Sequence, residues 1–94
     1  MQHARFIASG NVQGVGFRDF VCKIGKSCHL VGYAKNLPDG TVEIIAEGEE
    51  ERLAELARRL EGIKTPLGIR VEKLDVAGKR KISARSFASF GVEY

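Results

Sequence analysis

The sequence predicts an α+β fold in which two helices cover one face of a mostly antiparallel β-sheet. Segments that alternate apolar and polar residues, as half-buried strands do, are interrupted at two places by segments with the apolar spacing of an amphipathic helix. The chain has 94 residues, of which 44% are hydrophobic and 29% charged, and this composition is typical of one small globular core. We therefore expect a single domain that spans residues 1–94.

Three strands and one helix are predicted in the first half of the chain. The first strand, over residues 3–9, places alternate residues from Ala4 to Ala8 on one face. A helix follows over residues 18–28, because apolar residues recur there at helical spacing, namely Phe17, Val21, Ile24 and Cys28. Two further strands, over residues 31–36 and from residue 42 onward, are joined by a tight turn whose proline and glycine supply the required φ angles, Leu37-Pro38-Asp39-Gly40.

The second half of the chain predicts one helix and two strands. The helix over residues 49–61 carries one apolar stripe, formed by Leu53, Leu56, Ala57 and Leu60. Residues 68–76 form a strand whose apolar phase shifts between Val71 and Leu74, which predicts a β-bulge. A basic loop over residues 77–85 leads to a last strand with three apolar residues in one phase, Phe90, Val92 and Tyr94. This order, β-α-β-β-α-β with an extra C-terminal strand, predicts a ferredoxin-like sandwich.

The chain carries no sign of a membrane or export segment. No apolar run approaches the roughly 20 residues that are needed to span a bilayer. The N-terminal stretch is interrupted by His3, Arg5 and Ser9, and it therefore lacks the apolar core of a signal peptide. We expect a cytoplasmic protein without a membrane partner.

The two cysteines, Cys22 and Cys28, predict neither a disulfide nor a metal site. If both lie on one helix, their Cα atoms are about 9 Å apart, which exceeds the roughly 7 Å that a disulfide can bridge. With the single neighbouring histidine, His29, they lack the paired spacing of a structural zinc site. We interpret both as free thiols of the core and expect no metal.

The stretch from Gly10 to Arg18 predicts an anion-binding chemistry. Its glycines let several backbone N–H groups turn toward one point, and the start of the following helix adds unpaired N–H donors. Arg18 supplies a planar fork of donors that suits two oxygens of one phosphate. On physical grounds alone, a phosphate cradle and a plain strand-to-helix turn with a solvent-facing arginine account for these residues equally well.

Other ligand classes fit this stretch poorly. Asp19 occupies the place of the third glycine of a dinucleotide fingerprint, and the Gly-Lys-Ser/Thr of an ATP-binding loop is absent. Phe17 and Phe20 faintly resemble the aromatic motif of RNA-recognition domains, but that motif lies on a strand and these residues open a helix. The net charge of +3 is mild, and we expect no nucleic-acid partner.

Two long motifs resemble the signatures of the acylphosphatase family. The first is Gly10-x-Val12-Gln13-Gly14-Val15-x-Phe17-Arg18. The second, at the family's usual separation, is Gly32-Tyr33-x-x-Asn36-x-x-Asp39-Gly40-x-Val42-Glu43. The helix after Gly48 and the closing Phe90-x-Val92-x-Tyr94 also match the family pattern, so the resemblance covers essentially the whole chain.

The resemblance implies a small hydrolase that cleaves acyl phosphates to a carboxylate and inorganic phosphate, without a metal or any other cofactor. It implies that Arg18 and Asn36 are the catalytic residues, with Asn36 orienting the attacking water. It also implies a phosphate-binding loop formed by Gln13, Gly14, Val15, Gly16, Phe17 and Arg18. We expect a monomer whose partner is its small-molecule substrate.

Two alternatives of a different class stay open at this point. A noncatalytic module that binds acyl or carbamoyl phosphate is one, because similar domains occur within larger maturation proteins. An RNA-binding module is the other, motivated by the fold outline and a pI near 9.1. Without the first motif, Asn36 would more simply be a turn former beside Leu37.

Two positions need a structural explanation. His29 stands near the end of the first helix, where the family often has glycine, and a left-handed backbone there would cost more for histidine. Asp19 follows Arg18, and its carboxylate would repel a bound phosphate. We therefore expect the Asp19 side chain to point away from the site.

Overall fold

A computed structural model describes residues 1–94 and contains five strands and two helices. In chain order they are β1 (Gln2–Asn11), α1 (Phe17–Ser27), β2 (Val31–Asn36), β3 (Val42–Gly48), α2 (Glu50–Leu60), β4 (Arg70–Lys81) and β5 (Phe90–Glu93). Each predicted helix and strand is present, and the turn between β2 and β3 is closed by a hydrogen bond from the Gly40 N–H to the Leu37 carbonyl. Neither helix is long and apolar enough to cross a lipid bilayer.

The strands form one sheet in the order β4-β1-β3-β2-β5. Neighbouring strands are antiparallel except for β2 and β5, which run parallel. Both helices pack on the same face of the sheet, because their buried residues join Ala4, Phe6 and Ala8 of β1 in one core cluster. The predicted α+β, ferredoxin-like arrangement with an added C-terminal strand is confirmed.

The core lies between this sheet face and the two helices. Helix α2 contributes Leu53, Leu56 and Leu60, three of the four residues of the predicted apolar stripe, which are almost fully buried; the fourth, Ala57, is partly buried against the same core. Burial of one such side chain stabilises a fold by about 1.5–3 kcal/mol. Cys22 and Cys28 are free thiols inside the core, as predicted.

Strand β4 is longer than the sequence predicts. It continues to Lys81, so the prediction of a basic loop over residues 77–85 is wrong for residues 77–81. This part of β4 pairs with the first residues of β1, up to the pair Gln2↔Lys81, and local composition cannot reveal such a distant partner. The predicted bulge is present, because a register shift in β1 between Ser9 and Gly10 leaves Glu72 without a paired residue.

Helix α1 ends at a histidine with left-handed backbone geometry. His29 has φ = 59°, and it is the only residue other than glycine with a positive φ. The Leu30 N–H bonds the Gly25 carbonyl at 2.9 Å, and the His29 N–H bonds the Lys26 carbonyl at 3.0 Å. This hydrogen-bond pair is the Schellman motif, in which glycine is the preferred residue at the position of His29.

A buried carboxylate fixes the loop between β4 and β5. The side chain of Glu47 is fully buried and accepts hydrogen bonds from the Ser86 N–H and from His3 Nδ1, both at 2.6 Å. Burial alone would raise the pKa of Glu47, but the hydrogen bonds from His3 and Ser86 outweigh it and hold the pKa below its usual value. The alternating pattern of β3 predicts a polar side chain at this position but not its burial.

Candidate active site

The loop between β1 and α1 presents a row of free backbone donors. Gly14 and Gly16 have φ values of 75° and 80°, whereas the non-glycine residues between and after them have negative φ. Alternation of this kind turns successive N–H groups toward the same side of the chain. None of the N–H groups of residues 14–19 donates a hydrogen bond to another group of the protein, and the first helical bond runs from the Phe20 N–H to the Gly16 carbonyl. The loop therefore offers several donors to an anion at the N-terminus of α1.

Arg18 lies in the first turn of α1 and faces the end of β5. Its Nη1 donates a hydrogen bond to the backbone carbonyl of Glu93 at 2.9 Å. Its guanidinium carbon lies 4.8 Å from the centroid of the Tyr94 ring, within the range of a cation–π contact. Arg18 takes part in none of the salt bridges of the protein. Its positive charge is therefore not paired with a carboxylate.

Asn36 is the last residue of β2, on the sheet face that the helices cover. Its side-chain Oδ1 is buried and receives no hydrogen bond from the protein. A buried polar atom without a partner costs about 1–3 kcal/mol, and such atoms are unusual in folded proteins. An acceptor held in this way suits a donor that comes from outside the protein, such as a water molecule.

These groups surround one cavity of about 240 Å³. The predicted residues Gly14, Gly16, Phe17, Arg18 and Asn36 line it, together with Val12, Asp19, Val92 and Tyr94. Hence the two predicted motifs, which are about 20 residues apart in sequence, meet at one place. The lining contains no serine, threonine, cysteine or histidine. Nowhere in the chain do three or more His, Cys, Asp or Glu side chains form a group that could hold a metal ion.

Two residues of the predicted loop face away from the cavity. The Gln13 side chain donates hydrogen bonds from Nε2 to the carbonyls of Leu37 and Thr41, at 2.9 and 2.8 Å. Val15 packs against the hydrophobic core. The Gln13 amide thus links the glycine loop to the β2–β3 turn that directly follows Asn36.

Two lining residues of the cavity, Asp19 and Tyr94, were not expected at the site. Asp19 lies in the first turn of α1 directly after Arg18 and is a lining residue, so its position does not support the expectation that it points away from the site. The strand ends at Glu93, and Tyr94 lies beyond it with 93% of its surface exposed. The alternating phase grouped Tyr94 with the buried Phe90, and no sequence signal predicted its contact with Arg18.

The comparison with known protein families decides the identity. The family model described as Acylphosphatase matches residues 4–90 of the chain. The chain belongs to the acylphosphatase family. The acylphosphatase of Vibrio vulnificus is 40% identical over 88 residues, which cover 94% of this chain and 92% of that relative. The acylphosphatase of Deinococcus radiodurans is 42% identical over 81 residues, which cover 86% of this chain and 91% of that relative.

Solved structures give the same result for the fold. The crystal structure of the acylphosphatase from Bacillus subtilis matches with a TM-score of 0.87 and 35% identity, over 100% of both chains. HypF from T. kodakarensis matches with a TM-score of 0.79 and 32% identity, but the match covers only 12% of that chain. The similarity to acylphosphatases over nearly their whole length favours the enzyme over a noncatalytic phosphate-binding module. The chain is an acylphosphatase, and its reaction is the hydrolysis of acyl phosphates to a carboxylate and inorganic phosphate.

Proposed function

We propose that this reaction takes place in the cavity between the glycine loop and Asn36. One observation supports the assignment above all: Gly14 and residues 16–19 with their unpaired N–H groups, Arg18 with its unpaired charge and Asn36 with its buried Oδ1 all border a single cavity. The donors suit a phosphoryl group, and the acceptor suits a water molecule. The two binding functions that the hydrolysis requires are thus adjacent.

The phosphoryl group binds to the loop and to Arg18. The backbone N–H groups and the positive end of the helix dipole stabilise negative charge without a bound cation. Arg18 adds a full positive charge and two parallel donors, which a planar guanidinium can direct at two oxygens of one phosphate. These groups also stabilise the charge that the equatorial oxygens carry in the transition state.

The leaving group needs no help from the protein. Hydrolysis of an acyl phosphate releases a carboxylate, whose conjugate acid has a pKa of about 4.3 in the case of a glutamate-like acid. It departs at neutral pH without a proton from a general acid. The absence of serine, cysteine and histidine from the cavity lining is compatible with this chemistry, because neither a covalent intermediate nor a leaving-group acid is required.

Asn36 places the attacking water. Its Oδ1 accepts one hydrogen bond from the water, whose oxygen then attacks phosphorus on the side opposite the acyl oxygen. The new bond from water oxygen to phosphorus forms as the bond from phosphorus to acyl oxygen breaks. An amide is too weak a base to hold a proton, and the proton of the water passes to an oxygen of the phosphoryl group.

Phosphate release from benzoyl phosphate tests these roles in two variants. Arg18→Ala should abolish hydrolysis, and Arg18→Lys should not restore it, because a point ammonium cannot replace the planar fork. Lys23→Ala is the matched control, since Lys23 is an exposed basic residue of the same helix. Full activity in Arg18→Lys would show that the fork has no role.

The role of Asn36 is tested by separating turnover from binding. Asn36→Ala should lower kcat by at least tenfold, because water is no longer held in line, while binding of inorganic phosphate changes by less than about threefold. The measurements are steady-state kinetics with benzoyl phosphate and an NMR titration with inorganic phosphate. Weaker phosphate binding with unchanged turnover would show that Asn36 binds the phosphate and does not place the water.

We further propose that the enzyme acts as a cytoplasmic monomer. Both cysteines are free thiols, which is the usual state of cysteines in the cytoplasm. Light scattering after size exclusion is expected to give a mass near 10.3 kDa at all concentrations tested. A mass of twice that value would contradict the monomer.

A further inference from the structure

The last residue of β5, Glu93, and the residue after it, Tyr94, make the two contacts of the Arg18 guanidinium. The Glu93 carbonyl accepts a hydrogen bond from Nη1 at 2.9 Å, and the Tyr94 ring lies 4.8 Å from the guanidinium carbon. A guanidinium has five N–H donors, so the bond to Glu93 leaves the others available to a ligand. Arg18 and Tyr94 both line the cavity, so the remaining donors lie beside the space in which a ligand would bind.

The pairing of β5 with β2 brings this segment to Arg18. In the parallel register Lys35 lies opposite Glu93. Asn36 and Tyr94 are the next residues of their chains. The ends of these two paired strands therefore bring Asn36, with its buried Oδ1, close to the two groups that contact Arg18. The distance between the proposed water site and the guanidinium depends on this strand pairing.

A free arginine side chain at this position would be poorly ordered. Immobilising a long charged side chain costs up to about 2 kcal/mol of rotamer entropy, and two-point binding of a phosphate needs one particular orientation of the guanidinium plane. Arg18 has no salt bridge to fix that orientation. The contacts with Glu93 and Tyr94 are what holds it before a ligand arrives.

We propose that Tyr94 is a positioning residue for the phosphate-binding arginine, and that its aromatic ring, not its hydroxyl, performs this role. The hydroxyl makes no hydrogen bond within the protein, and the side chain is 93% exposed, so Tyr94 contributes little to the core. The inference rests on the proposed role of Arg18. It assigns to Tyr94 an effect on phosphate affinity that acts through the guanidinium.

Two substitutions at Tyr94 distinguish the effect of the aromatic ring from the effects of the hydroxyl and of side-chain size. Tyr94→Phe keeps the ring, and Tyr94→Leu keeps an apolar side chain without π electrons. An exposed cation–π contact corresponds to about a two- to fivefold change in an equilibrium constant. Tyr94→Leu should therefore raise the Kd of inorganic phosphate, and lower kcat/KM for benzoyl phosphate, by about two- to fivefold. Tyr94→Phe should match the wild type, and so should Leu67→Ala, an exposed apolar residue outside the cavity.

The side-chain order of Arg18 provides a direct readout. The heteronuclear NOE of the Arg18 Nε–H group should be high in the wild type and in Tyr94→Phe, and low in Tyr94→Leu. Thermal midpoints should be equal in all three proteins, because the side chain is exposed. A lower midpoint in Tyr94→Leu that accompanies the loss of affinity would assign a structural role to Tyr94 and overturn the proposal.

Two further outcomes also overturn it. Equal loss of phosphate affinity in the two Tyr94 variants would assign the effect to the hydroxyl, and unchanged affinity in both would leave the ring without a role. The Arg18→Ala protein is measured beside them. If Arg18→Ala still binds phosphate and hydrolyses benzoyl phosphate, the proposed function of the cavity fails; if it is inactive while Tyr94→Leu resembles the wild type, only the inference about Tyr94 fails.

Discussion

The substitution Gln13→Glu tests how the glycine loop is held relative to Asn36. Gln13 Nε2 donates hydrogen bonds to the carbonyls of Leu37 and Thr41, on the turn that follows Asn36. Glutamate has almost the same size and shape, but its carboxylate cannot donate. Both hydrogen bonds are lost, and a negative charge faces two carbonyl oxygens. The side chain must therefore leave its place, and the loop loses its link to the turn.

The expected loss of stability follows from the two hydrogen bonds. Each contributes about 0.5–1.5 kcal/mol net, which gives about 1–3 kcal/mol in total. The two carbonyls are not left without donors, because the Leu37 carbonyl also accepts from the Gly40 N–H and the Thr41 carbonyl from the Leu37 N–H. No further penalty is expected on that account. For a chain of this size the thermal midpoint should fall by roughly 4–8 °C for each kcal/mol.

Turnover should fall more than phosphate affinity in Gln13→Glu. The donors and Arg18 stay together on one loop and helix, whereas the distance from that loop to Asn36 is no longer fixed. Because a displacement of about 1 Å between reacting groups can cost up to about 100-fold in rate, we expect kcat to fall at least tenfold. The assays are thermal unfolding, steady-state kinetics with benzoyl phosphate and phosphate titration.

The matched control for this experiment is Gln2→Glu. Gln2 lies at the opposite end of β1, and its side chain makes no hydrogen bond within the protein. The same chemical change at Gln2 should leave kcat unaltered. Wild-type stability and wild-type kcat in Gln13→Glu would refute the reasoning. The two hydrogen bonds of Gln13 would then neither stabilise the fold nor fix the distance from the glycine loop to Asn36.

Two predictions concern stability alone. His29→Gly should raise the free energy of unfolding by about 0.5–1 kcal/mol in urea titrations, because glycine adopts the left-handed φ of 59° without a steric penalty; unchanged or lower stability would contradict this explanation. Glu47 has a lowered pKa in the folded state, so the stability it contributes is present above its unfolded pKa of about 4.5 and is lost as pH falls through the folded pKa. The difference in unfolding free energy between wild type and Glu47→Gln should therefore be larger at pH 7 than at pH 3. An equal difference at both pH values would show that the carboxylate charge has no part in it.

Local patterns were sufficient for most of the fold. The alternation in β1, the Pro38 and Gly40 of the turn and the leucine stripe of α2 each express a short-range preference, and the structure agrees with all of them. The conformation of the glycine loop could also be predicted from the local sequence, since Gly14 and Gly16 adopt the positive φ that glycine permits. In each of these cases the physical cause lies within a few residues of its effect.

The features that sequence reasoning missed depend on contacts between distant residues. The end of β4 is a strand because it pairs with the start of β1, although its Lys79, Arg80 and Lys81 are typical of a solvated loop. Glu47 is buried because Ser86 and His3 reach it. The position of Tyr94 over Arg18 follows from the pairing of β5 with β2. None of these partners can be inferred from the residues that surround each position in the chain.

The central claim is that water held at Asn36 attacks the phosphorus atom of a phosphoryl group bound by the glycine loop and Arg18. Hydrolysis of benzoyl phosphate in water enriched in ¹⁸O tests this claim most directly, with mass spectrometry of both products. The label is expected in inorganic phosphate, because the bond between phosphorus and the acyl oxygen breaks, and benzoate should carry none beyond the rate of the uncatalysed reaction. Label in benzoate at the enzymatic rate would show attack at the carbonyl carbon and would contradict the account.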